Sequence, residues 1–204
     1  MVGIIDYNIG NLASVYNACH VLDAKAQIVK NPEQLKNFDK VILPGVGAYG
    51  DAMDHLRQTG MLEAVKEYAN TGKAMLGICL GMQLLLEKSE EFGEHEGIGL
   101  IPGEVIHFDK SKMDMENHKI PHVGWNKIFT KENQIFDGLD NPYLYFVHSY
   151  HAVTDDKYAI GTTHYGYDFT SAINKDNIYG FQPHPEKSHE NGLKILSNFF
   201  ELKL

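Results

Sequence analysis

The residues Gly77-Ile78-Cys79-Leu80-Gly81-Met82-Gln83 set one thiol between two glycines. There an apolar run breaks and resumes as the helix-forming Met82-Gln83-Leu84-Leu85-Leu86-Glu87-Lys88. This is the pattern of a nucleophile elbow, a sharp strand-to-helix turn, with sulfur where a hydroxyl is more common. Gly77 and Gly81 suit a turn this tight, because neighbouring backbones approach closely and a Cβ would obstruct them. Cys79 at the tip falls at a helix N-terminus, whose free N–H groups and dipole favour a thiolate. The plainer reading is a small buried cysteine that fills the core. The elbow pattern favours the nucleophile.

A thiol nucleophile needs a base, and the base needs a group to orient it. Among eleven histidines, His184 stands out because it opens His184-Pro185-Glu186. Residues i and i+2 of an extended chain point to the same side. Pro185 favours that geometry at His184 and fixes its own φ. Glu186 can then hold the imidazole in one tautomer while the other nitrogen addresses Cys79. An exposed turn is the plainer reading, but the tripeptide closes an expected strand. Attack on a carbonyl also needs donors aimed at the developing oxyanion. The N–H of Leu80 is one, and Pro44-Gly45-Val46-Gly47, through Val46 or Gly47, can supply a second. A phosphate site is the other reading of that loop, which lacks both the Lys-Ser/Thr of a P-loop and the spacing of G-x-G-x-x-G.

Histidines 148, 151, 184 and 189 with Glu186 invite a metal reading, but there is no H-E-x-x-H and no paired-cysteine spacing. No metal is expected. His148 and His151 flank an apolar aromatic strand and read as hydrogen-bonded structural residues or loop-facing contacts. Trp125, the single tryptophan, lies in Pro121-His122-Val123-Gly124-Trp125-Asn126 and is an interface candidate.

The elements that must position these residues follow from periodicity. Apolar stretches at 1–6, 27–30, 40–43 and before the elbow read as strands. Helical spacing marks 12–22, with Asn11 as N-cap and Cys19 on the apolar stripe, then 31–38, 52–57 and 61–70. Such alternation predicts an α/β fold, an open and mostly parallel flavodoxin-like sheet flanked by helices. Functional loops of such sheets gather at the C-terminal ends of the strands. The elbow helix is expected to run on through residue 91. A β-rich half follows, with strands within 98–108, 120–129, 143–153, 158–164 and 169–174, and a polar, mobile loop at 109–119. A last strand at 178–182 and a closing helix at 189–202 complete one domain, 1–204. The net charge of −9 argues against nucleic acid. No apolar run approaches the ~20 residues of a membrane helix. Two cysteines without a C-x-x-C partner and no signal-peptide pattern suit a reducing cytoplasm.

Jointly, the elbow and His184-Pro185-Glu186 resemble the class I (triad) glutamine amidotransferases. Four further stretches narrow the resemblance to the glutaminase subunits of imidazole glycerol phosphate synthases. They are Asp6-Tyr7-Asn8-Ile9-Gly10-Asn11, Pro44-Gly45-Val46-Gly47-Ala48-Tyr49, Pro121-His122-Val123-Gly124-Trp125-Asn126 and Tyr145-Phe146-Val147-His148-Ser149-Tyr150. The resemblance implies that Cys79 attacks the carboxamide of glutamine, with His184 as base and Glu186 as its orienter. It implies that Leu80 and Val46 or Gly47 hold the oxyanion, and that Gln83 grips the amino-acid end of the substrate, helped by backbone near Ser149 and Tyr150. It further implies a heterodimer with a HisF-like (β/α)8-barrel synthase, which uses the ammonia in histidine biosynthesis, and no cofactor. Asn11, Trp125, Tyr145 and Lys187 match interface and gate positions. Asn8 stands where a glycine commonly follows the tyrosine, and Gln182-Pro183 where an aromatic usually precedes the histidine. These departures leave an alternative, a related glutaminase that serves a sugar amidotransferase in surface-glycan biosynthesis. A stand-alone cysteine amidohydrolase is a weaker one.

Overall fold

Strands that are apolar at every position must be covered on both faces. The computed structural model, which describes residues 1–203, covers them so. Its first part runs β1 (Val2–Ile5), α1 (Leu12–Val21), β2 (Ala26–Val29), a 3-10 turn (Pro32–Asn37), β3 (Lys40–Leu43), α2 (Tyr49–Gln58), α3 (Met61–Ala69) and β4 (Ala74–Ile78). With β14 (Ile178–Phe181) these strands pair in the order β2-β1-β3-β4-β14, all parallel. Alternate residues serve opposite faces. Ile4, Ile42 and Leu76 pack with Val15 and Cys19 of α1 and with Ile195 and Phe199 of α5 (His189–Glu201). Ile5, Val41, Leu43 and Met75 pack with Met53, Leu56, Val65 and Tyr68 of α2 and α3. Cys19 is fully buried there, as its place on the stripe predicts. Removal of a ring such as Phe199 from a core of this kind costs about 3–5 kcal/mol.

The elbow helix is a correction. α4 spans only Leu80–Leu84 and does not run on through residue 91. Leu84, Leu85 and Leu86 are all buried, so this stretch has no polar face to leave in water. The N–H of Leu85 turns back to Met82 O, a tightened last turn. The carbonyls of Leu84, Leu85 and Leu86 then accept N–H groups of Ile98, Leu100 and Gly99. Tertiary partners thus end the helix where local propensity would extend it. The chain moves into β5 (Lys88–Ser89), β6 (His95–Glu96) and β7 (Glu104–His107).

The second half, expected only to be β-rich, is antiparallel. β11 (Tyr150–Val153), β12 (Ala159–Tyr165) and β13 (Tyr167–Lys175) extend the sheet beyond β14, and β9 (Phe129–Thr130) joins β12. β8 (His122–Lys127) and β10 (Tyr143–His148) form a separate two-stranded ribbon. Leu144, Phe146, His148 and His122 face inward and are buried, whereas Val123, Trp125, Tyr143 and Val147 are exposed. The loop at 109–119 is anchored at both ends and at Met113. Asp109 caps a short 3-10 turn (Lys110–Lys112), Met113 is buried, and Tyr167 and Tyr165 hydroxyls bind Asp109 and Lys119 backbone. No helix among the described residues is long and apolar enough to cross a membrane.

Candidate active site

Register decides what can meet. Leu43 lies beside Gly77, and Phe181 beside Ile78. The segments that follow β3, β4 and β14 therefore leave the sheet at one edge, the C-terminal edge of its parallel part. They carry the loop with Val46 and Gly47, Cys79, and His184.

The turn at Cys79 is as tight as its glycines predict. Cys79 has φ +54° and ψ −112°, a conformation an L-residue adopts at a strain of about 1–3 kcal/mol. Its N–H donates to Phe181 O at 2.7 Å, and the N–H of Gln83 donates to Cys79 O at 3.2 Å. A Cβ on Gly77 would lie 2.7 Å from Gly81 O, and one on Gly81 would strike the carbonyl of Leu43. With only five helical residues behind it, the macrodipole at Cys79 is smaller than a long helix would give.

His184 and Glu186 do meet, by a different route from the extended alternation expected. Pro185–Lys187 is a 3-10 turn, and it swings Glu186 Oε1 to 2.7 Å from His184 Nδ1. Both side chains are only 2% exposed. Pro185 makes the turn favourable because its φ is preset and its missing N–H needs no partner. The turn docks on β10. His184 N–H donates to Tyr145 O at 2.8 Å, Tyr145 N–H to Ser188 Oγ at 2.9 Å, and Ser188 Oγ–H to His184 O at 2.6 Å. His184 Nε2 is buried with no hydrogen-bond partner. Burial alone would lower the imidazole pKa, but the Cys79 thiol and then Glu186 outweigh it and lift it to about 10.

A cavity of about 450 Å³ opens over this group. Val46, Gly47, Cys79, Leu80, Gln83, Ser149, Tyr150 and His184 all line it. Asn11, Trp125, Tyr145 and Lys187 lie outside it. Asn11 sits at the N-cap of α1 but makes no side-chain cap hydrogen bond. Trp125 is 47% exposed, stacked on His189 with ring centroids 5.1 Å apart, and edge-on to Tyr145. Lys187 is exposed.

Five further residues line the cavity: Glu91, Phe92, Pro121, Val147 and His148. Glu91 was hidden inside the expected helix. Its Oε2 accepts the N–H of Tyr49 at 2.7 Å, and burial raises its pKa. Gln182, two residues before His184, was also missed. Its Oε1 accepts from Gln83 Nε2 at 3.0 Å, and its Nε2 approaches Cys79 Sγ at 3.8 Å. Tyr7, from the first loop, donates to Pro44 O at 3.0 Å and anchors the strand end that leads to Val46.

A buried thiol, a histidine aimed by a carboxylate, and a cavity with room for an amino acid suit acyl transfer from a small amide. Comparison with known proteins agrees. The glutamine amidotransferase class-I family matches residues 3–202. The imidazole glycerol phosphate synthase subunit HisH of Sulfurimonas denitrificans is 63% identical over 201 residues, 98% of this chain and 97% of that protein. That of Wolinella succinogenes is 59% identical over 205 residues, 99% of this chain and 100% of that protein. A solved glutamine amidotransferase, 17% identical, superposes with a TM-score of 0.76 over 98% of this chain and 97% of its own, a likeness of fold. The chain belongs to the class I glutamine amidotransferase family, in the branch of the HisH subunits of imidazole glycerol phosphate synthase.

Proposed function

We propose that this single-domain chain hydrolyses glutamine at Cys79 and delivers the ammonia to a (β/α)8-barrel synthase subunit that makes imidazole glycerol phosphate. The observation that carries the chemistry is His184, held by Glu186 at 2.7 Å, with its other nitrogen buried, unpartnered and in one cavity with Cys79. His184 takes the thiol proton as base, and Cys79 Sγ attacks the carboxamide carbon of glutamine. The oxyanion is received by Leu80 N–H and a peptide N–H at Val46 or Gly47. His184 gives its proton to the departing nitrogen, the C–N bond breaks, and ammonia leaves a glutamyl thioester. Water, deprotonated by His184, then attacks the thioester; glutamate departs and the proton returns to the Cys79–His184 pair.

Gln83 and the Ser149–Tyr150 backbone hold the amino-acid end of the substrate, and the Glu91 carboxylate faces its ammonium. The exposed apolar side of the ribbon, Val123, Trp125, Tyr143 and Val147, supports a partner surface beside the cavity mouth. Asn11, Tyr145 and Lys187 extend that surface and gate. The two HisH relatives support the histidine-pathway synthase over a sugar-amidating one. Glutamate release is the test, with and without the barrel subunit and its nucleotide ligand. Stimulation of roughly tenfold or more is expected on assembly, and Cys79→Ser should abolish release. Substantial turnover by that variant would overturn the mechanism.

A further inference from the structure

From the cavity wall at His148 a line of side chains that the chemistry above does not use runs back into the ribbon. Asn126 Nδ2 lies 3.3 Å from His122 Nε2, His122 Nδ1 lies 3.0 Å from His148 Nε2, and His148 Nδ1 lies 2.7 Å from Tyr150 O. The protons in this line are fixed by its inner end. A carbonyl can only accept, so His148 carries its proton on Nδ1. Its Nε2 is then an acceptor if the ring is neutral, so His122 also carries its proton on Nδ1. His122 Nε2 accepts in turn, and the Asn126 amide donates. Every hydrogen bond points the same way, from the ribbon towards the cavity.

Both rings are kept neutral by their surroundings. His122 is sandwiched between Tyr165 at 3.9 Å and Phe146 at 4.8 Å, and His148 packs against Phe108 at 5.1 Å and Phe169 at 5.2 Å. Burial pushes the pKa of His122 down to about 4 and holds that of His148 well below its ordinary range.

The Tyr150 carbonyl has two lone pairs. One accepts from His148, and the other accepts Gln83 Nε2–H at 3.1 Å. Gln83 Nε2 also donates to Gln182 Oε1 at 3.0 Å, so both amide protons are committed. Gln83 Oε1 is left as the free acceptor on the cavity. An amide flipped the other way would set its oxygen against two acceptors and offer N–H groups to an ammonium.

We propose that His148, braced by His122, is a positioning residue for glutamine binding: it fixes the Tyr150 carbonyl, and that carbonyl orients Gln83 with its oxygen facing the substrate's α-ammonium. The proposal rests on the reading of the cavity as a glutamine site. It makes the relay a determinant of KM, whereas the triad, tied to Tyr145 three residues before His148 on the same strand and to Ser188, governs kcat.

The test is steady-state glutamate release by the assembled synthase with its nucleotide ligand saturating. His148→Leu removes the donor to Tyr150 and should raise the KM for glutamine about tenfold, with kcat within about threefold of wild type. His148→Asn sets an amide N–H where Nδ1 was and should recover most of that loss. A His148→Leu KM within about twofold of wild type, a fall in kcat alone, or no rescue by asparagine would each overturn the proposal. Should the leucine variant not fold, imidazole ¹⁵N spectra of the wild-type protein decide, since both His122 and His148 must be neutral Nδ1–H tautomers. An Nε2–H tautomer at His148 would sink the relay. Wild-type turnover in the same assay checks the glutamine reading separately, because a lack of it would count against the site and not against the relay.

Discussion

His184 and His148 line the same cavity and are both almost wholly buried, at 1% and 6% exposure. Burial disfavours the imidazolium at each, yet they end on opposite sides of the ordinary histidine pKa. The difference lies in what each ring touches. His184 is hydrogen-bonded to a carboxylate and shares the cavity with the Cys79 sulfur, groups that become more favourable neighbours when the ring is charged. His148 meets a carbonyl through one nitrogen and a neutral ring through the other, and a proton at its Nε2 would oppose the one that His122 offers there. One wall of the cavity is therefore built to move a proton and the other to hold its protons still.

The same substitution at the two positions tests this contrast most strongly. His184→Asn removes the group that shuttles the thiol proton, and a general acid–base of this kind is worth about 10²–10⁴ in rate. Glutamate release should fall by that factor. His148→Asn should leave kcat within about threefold. Comparable losses of kcat at both positions would erase the distinction between them.

A second test of intermediate size uses stability. A group whose folded pKa is raised binds its proton more tightly when folded, so the His184 contribution is fully present below pH 6.5 and is lost as pH rises towards about 10. His122 runs the other way. Its folded pKa is lowered from 6.5 to about 4, so its contribution is present above pH 6.5 and is lost as pH falls through that window. Between pH 7.5 and pH 5 the His122 share should be on the order of 2 kcal/mol. Urea unfolding at the two pH values should show a smaller loss for His122→Asn than for the wild type. Equal losses would mean that His122 is not held neutral.

The contrast also separates what could be read along the chain from what could not. Strands and helices of the parallel half are short-range patterns, and the elbow and the His-Pro-Glu tripeptide are recognisable from spacing within a few residues, whereas Gln83 was marked only by the family resemblance. Their meeting needs only that β3, β4 and β14 end at one edge. The relay is different, since His122 and His148 are set opposite each other by the register of β8 with β10. Nothing local to either predicts a ring-to-ring hydrogen bond. Glu91 was lost for a related reason. Residues 98–101 claim the carbonyls of Leu84–Leu86, and that long-range event ends the helix in which Glu91 was expected. Even His184-Pro185-Glu186, whose residue types signalled a pair, closes it through a 3-10 turn and not through an extended chain.

The smallest effect is expected at the outer end of the relay. Asn126 Nδ2 donates to His164 O at 2.9 Å, a shorter contact than its 3.3 Å approach to His122 Nε2. Its amide is thus oriented by a carbonyl that can only accept, and its link to His122 is the weaker of the two. Asn126→Ala should raise the KM for glutamine no more than about twofold, as a long neutral hydrogen bond contributes little. Asn126→Asp asks a sharper question of the same atom. It sets a carboxylate where a donor stood, which favours a proton on His122 Nε2 and should lift the titration of that ring back towards its ordinary 6.5. The Nδ1–H bond to His148 can survive in the imidazolium, so KM should move less than the titration does. Imidazole ¹⁵N shifts followed against pH, beside the KM of the same variant, separate the two quantities. An unmoved His122 titration would mean that Asn126 stands apart from the relay, and a large rise in KM would mean that the ribbon end bears more of the substrate wall than its distances suggest.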